Sequence, residues 1–313
     1  VGLRLMGPTF CGAETIGLIE VDFYGGGSEN NTQLNMRHAY VKLFWPHCKL
    51  TLLAGQTWDV VHPQNMPTIN YTVGWWCGNV GFRRPQLRLS KGIGLGTCTT
   101  GLLEVAALRT VTGRNTPFTP TFEDTGEDAG FPTLQGRLSI SHDVAKGRTL
   151  VLGVSGHWGH EEFDQNAAGA ARDLETWSVG ADWVVPIGSA LTLKGEIWFG
   201  RNMDAYLGGI AQGVNAAVAG AEREIDAAGG WLALQLKANS CLTFAAGGGL
   251  DDPDDADLAP GNRSHNAFGF VNGWFRPAKR IGFGLELSYW ITEYVGLSDG
   301  DSLRVQFAIK YDF

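Results

Sequence analysis

From Asp301 to Phe313 the chain alternates without a break. Leu303, Val305, Phe307, Ile309, Tyr311 and Phe313 fall on one side; Arg304, Gln306, Ala308, Lys310 and Asp312 fall on the other. A period of two predicts a β-strand with one apolar and one wet face. The pattern recurs upstream. Trp177, Val179, Ala181, Trp183 and Val185 alternate with Thr176, Ser178, Gly180, Asp182 and Val184. Phe283, Leu285, Leu287, Tyr289 and Ile291 alternate with Gly282, Gly284, Glu286, Ser288 and Trp290. Alternation and turn signals together predict fifteen strands: 1–9, 15–25, 33–45, 49–58, 85–92, 100–110, 133–142, 149–159, 174–186, 189–200, 229–238, 241–250, 266–276, 280–292 and 301–313.

The connections alternate in length. Short ones fall at 11–14, 46–48, 94–99, 145–148, 187–189, 239–240 and 277–279; long ones fall at 25–32, 59–84, 111–132, 160–173, 201–228, 251–265 and 293–300. Tight turns on one rim and long loops on the other are the signature of a transmembrane antiparallel up-and-down β-barrel. The aromatic terminal residue resembles the closing strand of bacterial outer-membrane barrels. Apolar faces nearly free of charge over roughly 10 residues suit a tilted crossing of the bilayer. Closure is then required, because backbone polar groups in lipid must pair within the sheet. If the last strand ends at the periplasm, parity puts the long loops outside. It also predicts one more strand before residue 1, for about sixteen in all, enough to leave an aqueous channel.

Composition supports one barrel over residues 1–313. Charged residues make up 18% of the chain, below the roughly 25% of soluble domains. Mean hydropathy is −0.07. No run of 18 or more apolar residues occurs, which excludes a spanning helix. Gly (44) and Trp (11) are abundant; Gly suits turns and close strand packing, and Trp suits a membrane–water interface. A net charge of −8 argues against a nucleic-acid partner. The five Cys, at 11, 48, 77, 98 and 241, show no zinc spacing. A Cys11–Cys48 bridge is left open by the sequence.

With the apolar face toward lipid, the other face lines water. Basic residues there are Arg4, Lys42, Arg84, Arg88, Arg137, Lys194, Lys237, Arg304 and Lys310; acidic ones are Glu20, Asp22, Glu104, Asp182, Glu196, Glu286 and Asp312. The slight basic excess favours anions. Arg84, Gln86, Arg88 and Ser90 share this face, with the two arginines roughly 13 Å apart along the strand, each able to fork onto a carboxylate. The preceding loop, 59–84, is rich in Pro, Gly and aromatics. It is expected either to fold inward and narrow the pore or to lie outside.

Arg37-His38-Ala39-Tyr40-Val41-Lys42-Leu43, Leu53-Ala54-Gly55-Gln56-Thr57-Trp58 and Arg84-Pro85-Gln86-Leu87-Arg88 resemble motifs of the DcaP-like outer-membrane porins, over about residues 33–90. The resemblance implies a homotrimer of sixteen-strand barrels that passes small anionic solutes such as dicarboxylates, with Arg84 and Arg88 as anion contacts. It also implies a Gram-negative outer membrane, with lipid and lipopolysaccharide around the barrel. Family members often carry a periplasmic amino-terminal helical segment, which these residues do not contain. The pore-lining set expected on both grounds is Arg84, Arg88, Arg137, Lys42, Lys194 and Arg304.

Other signals are bland. The acidic run Asp251–Asp257 lacks the Gly and closing Glu of an EF-hand and reads as a solvated loop. His157 and His160 do not have the spacing of a helical zinc motif. Residues 213–228, rich in Ala, read as a short helix in an outer loop. No Ser/His/Asp arrangement stands out at the rim, so neither catalysis nor a cofactor or metal is expected. The alternative to a porin is a structural barrel that anchors an outer layer or partner protein.

Overall fold

The computed structural model describes residues 1–25, 33–70, 74–112, 126, 127, 129–164, 171–218 and 220–312. The strands are β1 (Gly2–Met6), β2 (Glu14–Gly25), β3 (Gln33–Trp45), β4 (Leu50–Trp58), β5 (Arg83–Gly94), β6 (Thr99–Leu108), β7 (Thr133–Ala145), β8 (Arg148–Phe163), β9 (Arg172–Ile187), β10 (Leu191–Arg201), β11 (Val214–Asn215), β12 (Arg223–Glu224), β13 (Asp226–Lys237), β14 (Leu242–Pro253), β15 (Arg263–Ala278), β16 (Ile281–Tyr294) and β17 (Gly300–Tyr311). All but β11 and β12 form one antiparallel sheet in which each strand pairs with the next in sequence. This is the up-and-down meander that the alternation predicts.

Among the described residues the sheet has fifteen strands, the number that the alternation predicts within residues 1–313. Among the described residues β1 pairs only with β2, and β17 only with β16. Phe313 lies outside the described residues. Among the described residues of 213–228 the expected helix does not form. Val214 and Asn215 instead pair with Glu224 and Arg223 as a two-stranded hairpin. Gly213 and Gly220 bracket the Ala run, and an isolated segment this short does not sustain a helix in water. The hairpin is tied down from outside: Arg172 bonds Glu222 at 3.1 Å, and the Asn215 amide donates to the Asp257 carbonyl at 2.6 Å.

The two faces are inverted relative to a soluble protein. Along β16, Phe283, Leu285, Leu287 and Tyr289 are exposed, while Gly282, Gly284, Glu286 and Ser288 are buried. Cross-strand partners share a face, so the register carries this parity around the sheet. Glu286 sits opposite Gln306 and Asn272, and Leu285 opposite Phe307 and Gly273. The sheet thus turns a broad apolar surface outward and its polar residues inward.

This inversion predicts a mutational response opposite to that of a soluble surface. Leu285 is 57% exposed, and Leu285→Arg on a water-facing strand changes stability by less than about 0.5 kcal/mol. On a lipid-facing strand it costs about 2–4 kcal/mol near the midplane. We expect the larger loss, read as a lower urea midpoint for barrels folded into phospholipid vesicles. A midpoint within error of wild type would contradict a lipid-facing β16.

Candidate functional site

The loop between β4 and β5 lies inside the sheet. Its neck is closed by Asp59 and Phe82, each of whose backbone N–H groups bonds to the other residue, at 2.8 and 2.9 Å. From there the chain runs along the inner wall. The N–H of Val60 donates to Gln135 on β7 at 2.7 Å, that of Gln64 to Glu196 on β10 at 2.6 Å, and that of Ile69 to Glu286 on β16 at 2.8 Å. It then returns: the Asn266 amide on β15 donates to the Trp76 carbonyl at 2.8 Å, and the Trp198 indole on β10 to the Gly78 carbonyl at 2.9 Å. Backbone groups that would be orphaned away from water are thereby paired with wall side chains.

Two apolar clusters seat this segment. Met66 and Cys77 pack with Trp231, Ala233, Ala245, Phe268 and Phe270. Val61 and Val80 pack with Trp198, Met203, Ala205, Tyr206 and Ala227. The approach is backbone to backbone. A side chain at Gly78, whose φ is +94°, would begin 2.1 Å from the Gly230 carbonyl, and one at Gly249 would begin 2.3 Å from the Cys77 carbonyl. Only glycine fits at either position.

The connection between β10 and β13 also folds inward. Its 3-10 turns, Asp204–Tyr206 and Gly209–Ala211, are largely buried. Tyr206 stacks on His157 of β8 at 4.0 Å, and its hydroxyl accepts from Gln135 at 3.1 Å. Asp251 is buried in β14, with the backbone N–H groups of Gly209 and Ile210 close to its carboxyl. The solvated acidic loop expected at 251–257 therefore begins only after this residue, which anchors the second inward connection. Within the inward segments, burial pushes the His62 imidazole down to about 4. Burial also pushes the Cys77 thiol up and raises the Asp204 carboxyl to about 6.

The six residues read as pore-lining all face inward, but they divide in two. Arg84 is 1% exposed. Its Nε lies 3.0 Å from Asp59 Oδ1, its guanidinium sits 4.0 Å above the Tyr206 ring, and it donates to the Ala205 carbonyl. It holds the two inward connections together and is out of reach of a passing anion. Arg137 forks onto Asp182 at 3.0 and 2.7 Å. Arg88 donates to Gln86 at 2.8 Å and to the Trp58 carbonyl, with Glu104 at 3.7 Å. Arg84 and Arg88, expected as anion contacts, thus both have their guanidiniums engaged with protein groups. Lys42 and Lys194 are half-buried and Arg304 is exposed. Their side chains make no hydrogen bond or ion pair with another described residue.

The inner-face acids are occupied. Glu20 and Asp22 pair with Arg37 at 2.7 and 2.9 Å. Asp182 pairs with Arg137, and Glu104 accepts from Ser90 at 3.0 Å. Glu196 and Glu286 accept backbone N–H groups of the inward loop. Sequence reading missed Asp59, Gln135 and Tyr206 as the partners that order these side chains. One signal was available: Met203, Tyr206 and Ile210 are too apolar for a connection lying in water. All five cysteines are free. Among the described residues no three His, Cys, Asp or Glu side chains converge on a metal position.

No family model matches the chain, and no curated protein does. Solved structures do. The outer-membrane channel DcaP of Acinetobacter baumannii superposes with a TM-score of 0.78 at 20% identity, over 100% of this chain and 84% of that one. An anion-selective porin from Comamonas acidovorans gives 0.59 at 14%, over 100% and 88%. OprB of Pseudomonas putida gives 0.56 at 10%, over 96% and 83%. With its single up-and-down sheet, outward apolar face and inward polar face, the chain has the fold of the DcaP-like outer-membrane porin barrels.

Proposed function

We propose that the protein is a passive porin of the bacterial outer membrane. Small polar solutes cross it beside an inward shelf made by residues 59–82, and anions pass in preference to cations. Membrane lipid and lipopolysaccharide surround the apolar exterior, and the barrels assemble as a homotrimer. One of the similar solved structures, an outer-membrane protein of Vibrio cholerae, is a trimer form. The reading is of a channel, not an enzyme.

The observation that carries the anion preference is the imbalance of unengaged charge. The acids read on the inner face from the sequence are spent on Arg37, Arg88, Arg137, Lys310 and loop N–H groups, while Lys42, Lys194 and Arg304 keep free cationic ends. Fixed positive charge in a narrow aqueous passage raises local anion concentration. Dicarboxylates are the solute class that two such cations on facing walls would hold best.

The test is the zero-current potential of the purified protein in a planar bilayer under a salt gradient. Wild type is expected to be anion-selective. Replacing Lys42, Lys194 and Arg304 together by Ala should cut the anion-to-cation permeability ratio about threefold or more, while Arg137→Ala alone should not reproduce that loss. A wild-type channel without anion preference ends the selectivity claim. Absence of conductance ends the porin claim and leaves the second reading, a barrel that anchors an outer layer or partner. That reading draws on one observation: two connections fill the side of the interior lined by β7–β10 and β13–β16.

A further inference from the structure

Behind the shelf, where β8 meets the turn after β10, three oxygen-bearing side chains are buried together. Glu161 and Asn202 are both 0% exposed, and Asp204 is 6% exposed. The Asn202 side chain lies against the Glu161 carboxyl. Yet neither Glu161 oxygen and neither Asn202 amide atom makes a hydrogen bond of acceptable geometry within the protein. Two fully buried polar groups without such partners are costly unless something else satisfies them.

The charge is also unbalanced. The field at Glu161 comes from Asp204 and Glu224, which are negative, and from Arg84. Arg84 is already paired with Asp59 at 3.0 Å. Among the described residues no free cation reaches the pair of carboxylates. The space between the side chains is shaped by an absence. A side chain at Gly213 would begin 2.1 Å from Asn202 Oδ1 and 2.5 Å from Asp204 Oδ1. These two oxygens therefore converge on one small volume that any residue other than glycine would fill.

We propose that Glu161, Asn202 and Asp204 form a binding site for a hard divalent cation, calcium by preference, which locks the β10–β13 connection against the wall. Two carboxylates and one amide are oxygen ligands of the kind calcium takes, and main-chain carbonyls and water complete its shell of six to eight. The site lies away from Lys42, Lys194 and Arg304 and does not depend on the selectivity of the pore.

The test is calorimetric titration of calcium chloride into the detergent-solubilised protein after treatment with a chelator. One tight site per chain is expected in wild type. Affinity should fall about tenfold or more in Glu161→Gln and in Asp204→Asn, since each removes a charged ligand, and Gly213→Ala should abolish binding by filling the space. Asp255→Asn, in the exposed acidic turn, should leave the affinity unchanged. Neutralising Glu161 or Asp204 lessens the buried charge, so these variants are expected to fold, and retained heat-modifiable gel mobility checks it. Wild type that binds no calcium overturns the proposal. So does binding that survives all three substitutions, or binding that is lost only in Asp255→Asn.

Discussion

Replacing residues 61–80 with a short Gly-Ser linker should raise the single-channel conductance about twofold or more, because the segment occupies cross-section that water would otherwise fill. Asp59, Val60, Gly81 and Phe82 stay in this variant, so that the paired neck and the register of β4 with β5 are kept. The expectation follows from where the loop makes its bonds. It is held by Gln135 on β7, Glu196 on β10 and Glu286 on β16, so it spans the inside of half the sheet. Removing it frees Glu196 and Glu286 as uncompensated carboxylates. The larger channel should therefore also lose anion preference. Step sizes in planar bilayers, together with the zero-current potential, read both effects. Unchanged step size would mean that solutes pass elsewhere and that the shelf does not set the width.

The second large effect concerns Arg84. Its pairing with Asp59 is buried on both sides, each side chain being 1% exposed. Removing one partner of such a pair strands the other charge, at a cost of about 3–5 kcal/mol. Arg84→Ala also removes the ring contact with Tyr206 and the bond to Ala205, so both inward connections loosen at once. We expect a lower unfolding midpoint and faster protease cleavage within 59–82. Replacing both partners by apolar residues, Arg84→Met with Asp59→Leu, should recover most of the loss, since it leaves no orphaned charge. A destabilisation within error of zero for Arg84→Ala would mean that this ion pair does not hold the loop. An unrelieved loss in the double variant would point to the ring contact with Tyr206 instead.

Arg84 also shows how far the sequence could be read. Strict alternation from Phe283 to Ile291 or from Trp177 to Val185 has one physical solution. The strands and their inward sets followed from it, including the correct face for Arg84, Arg88 and Arg137. The resemblance of residues 33–90 to DcaP-like porins agrees in fold with the superposed channel. Strand parity says which way a side chain points, however, and not what meets it there. Asp59 and Tyr206 reach Arg84 from connections 25 residues upstream and 122 residues downstream of it in the numbering, and no periodicity links them. For the same reason the Ala-rich stretch after Gly213 read as a helix. Its hairpin is fixed by Arg172 and Asp257, both remote in sequence. Gly230 and Gly249 looked like ordinary strand glycines, and their role as the seat for Gly78 and Cys77 emerges only when the loop is in place.

That seat has a consequence for the order of assembly. Gly78 lies against main-chain atoms of β13 and β14, and Ile69 waits for Glu286, 217 residues further on. The loop is made early in synthesis, yet its last anchor arrives only with β16. Such long closures are slow and costly in chain entropy. The wall must therefore form first, around an unfilled interior, and the shelf docks into it as a late step.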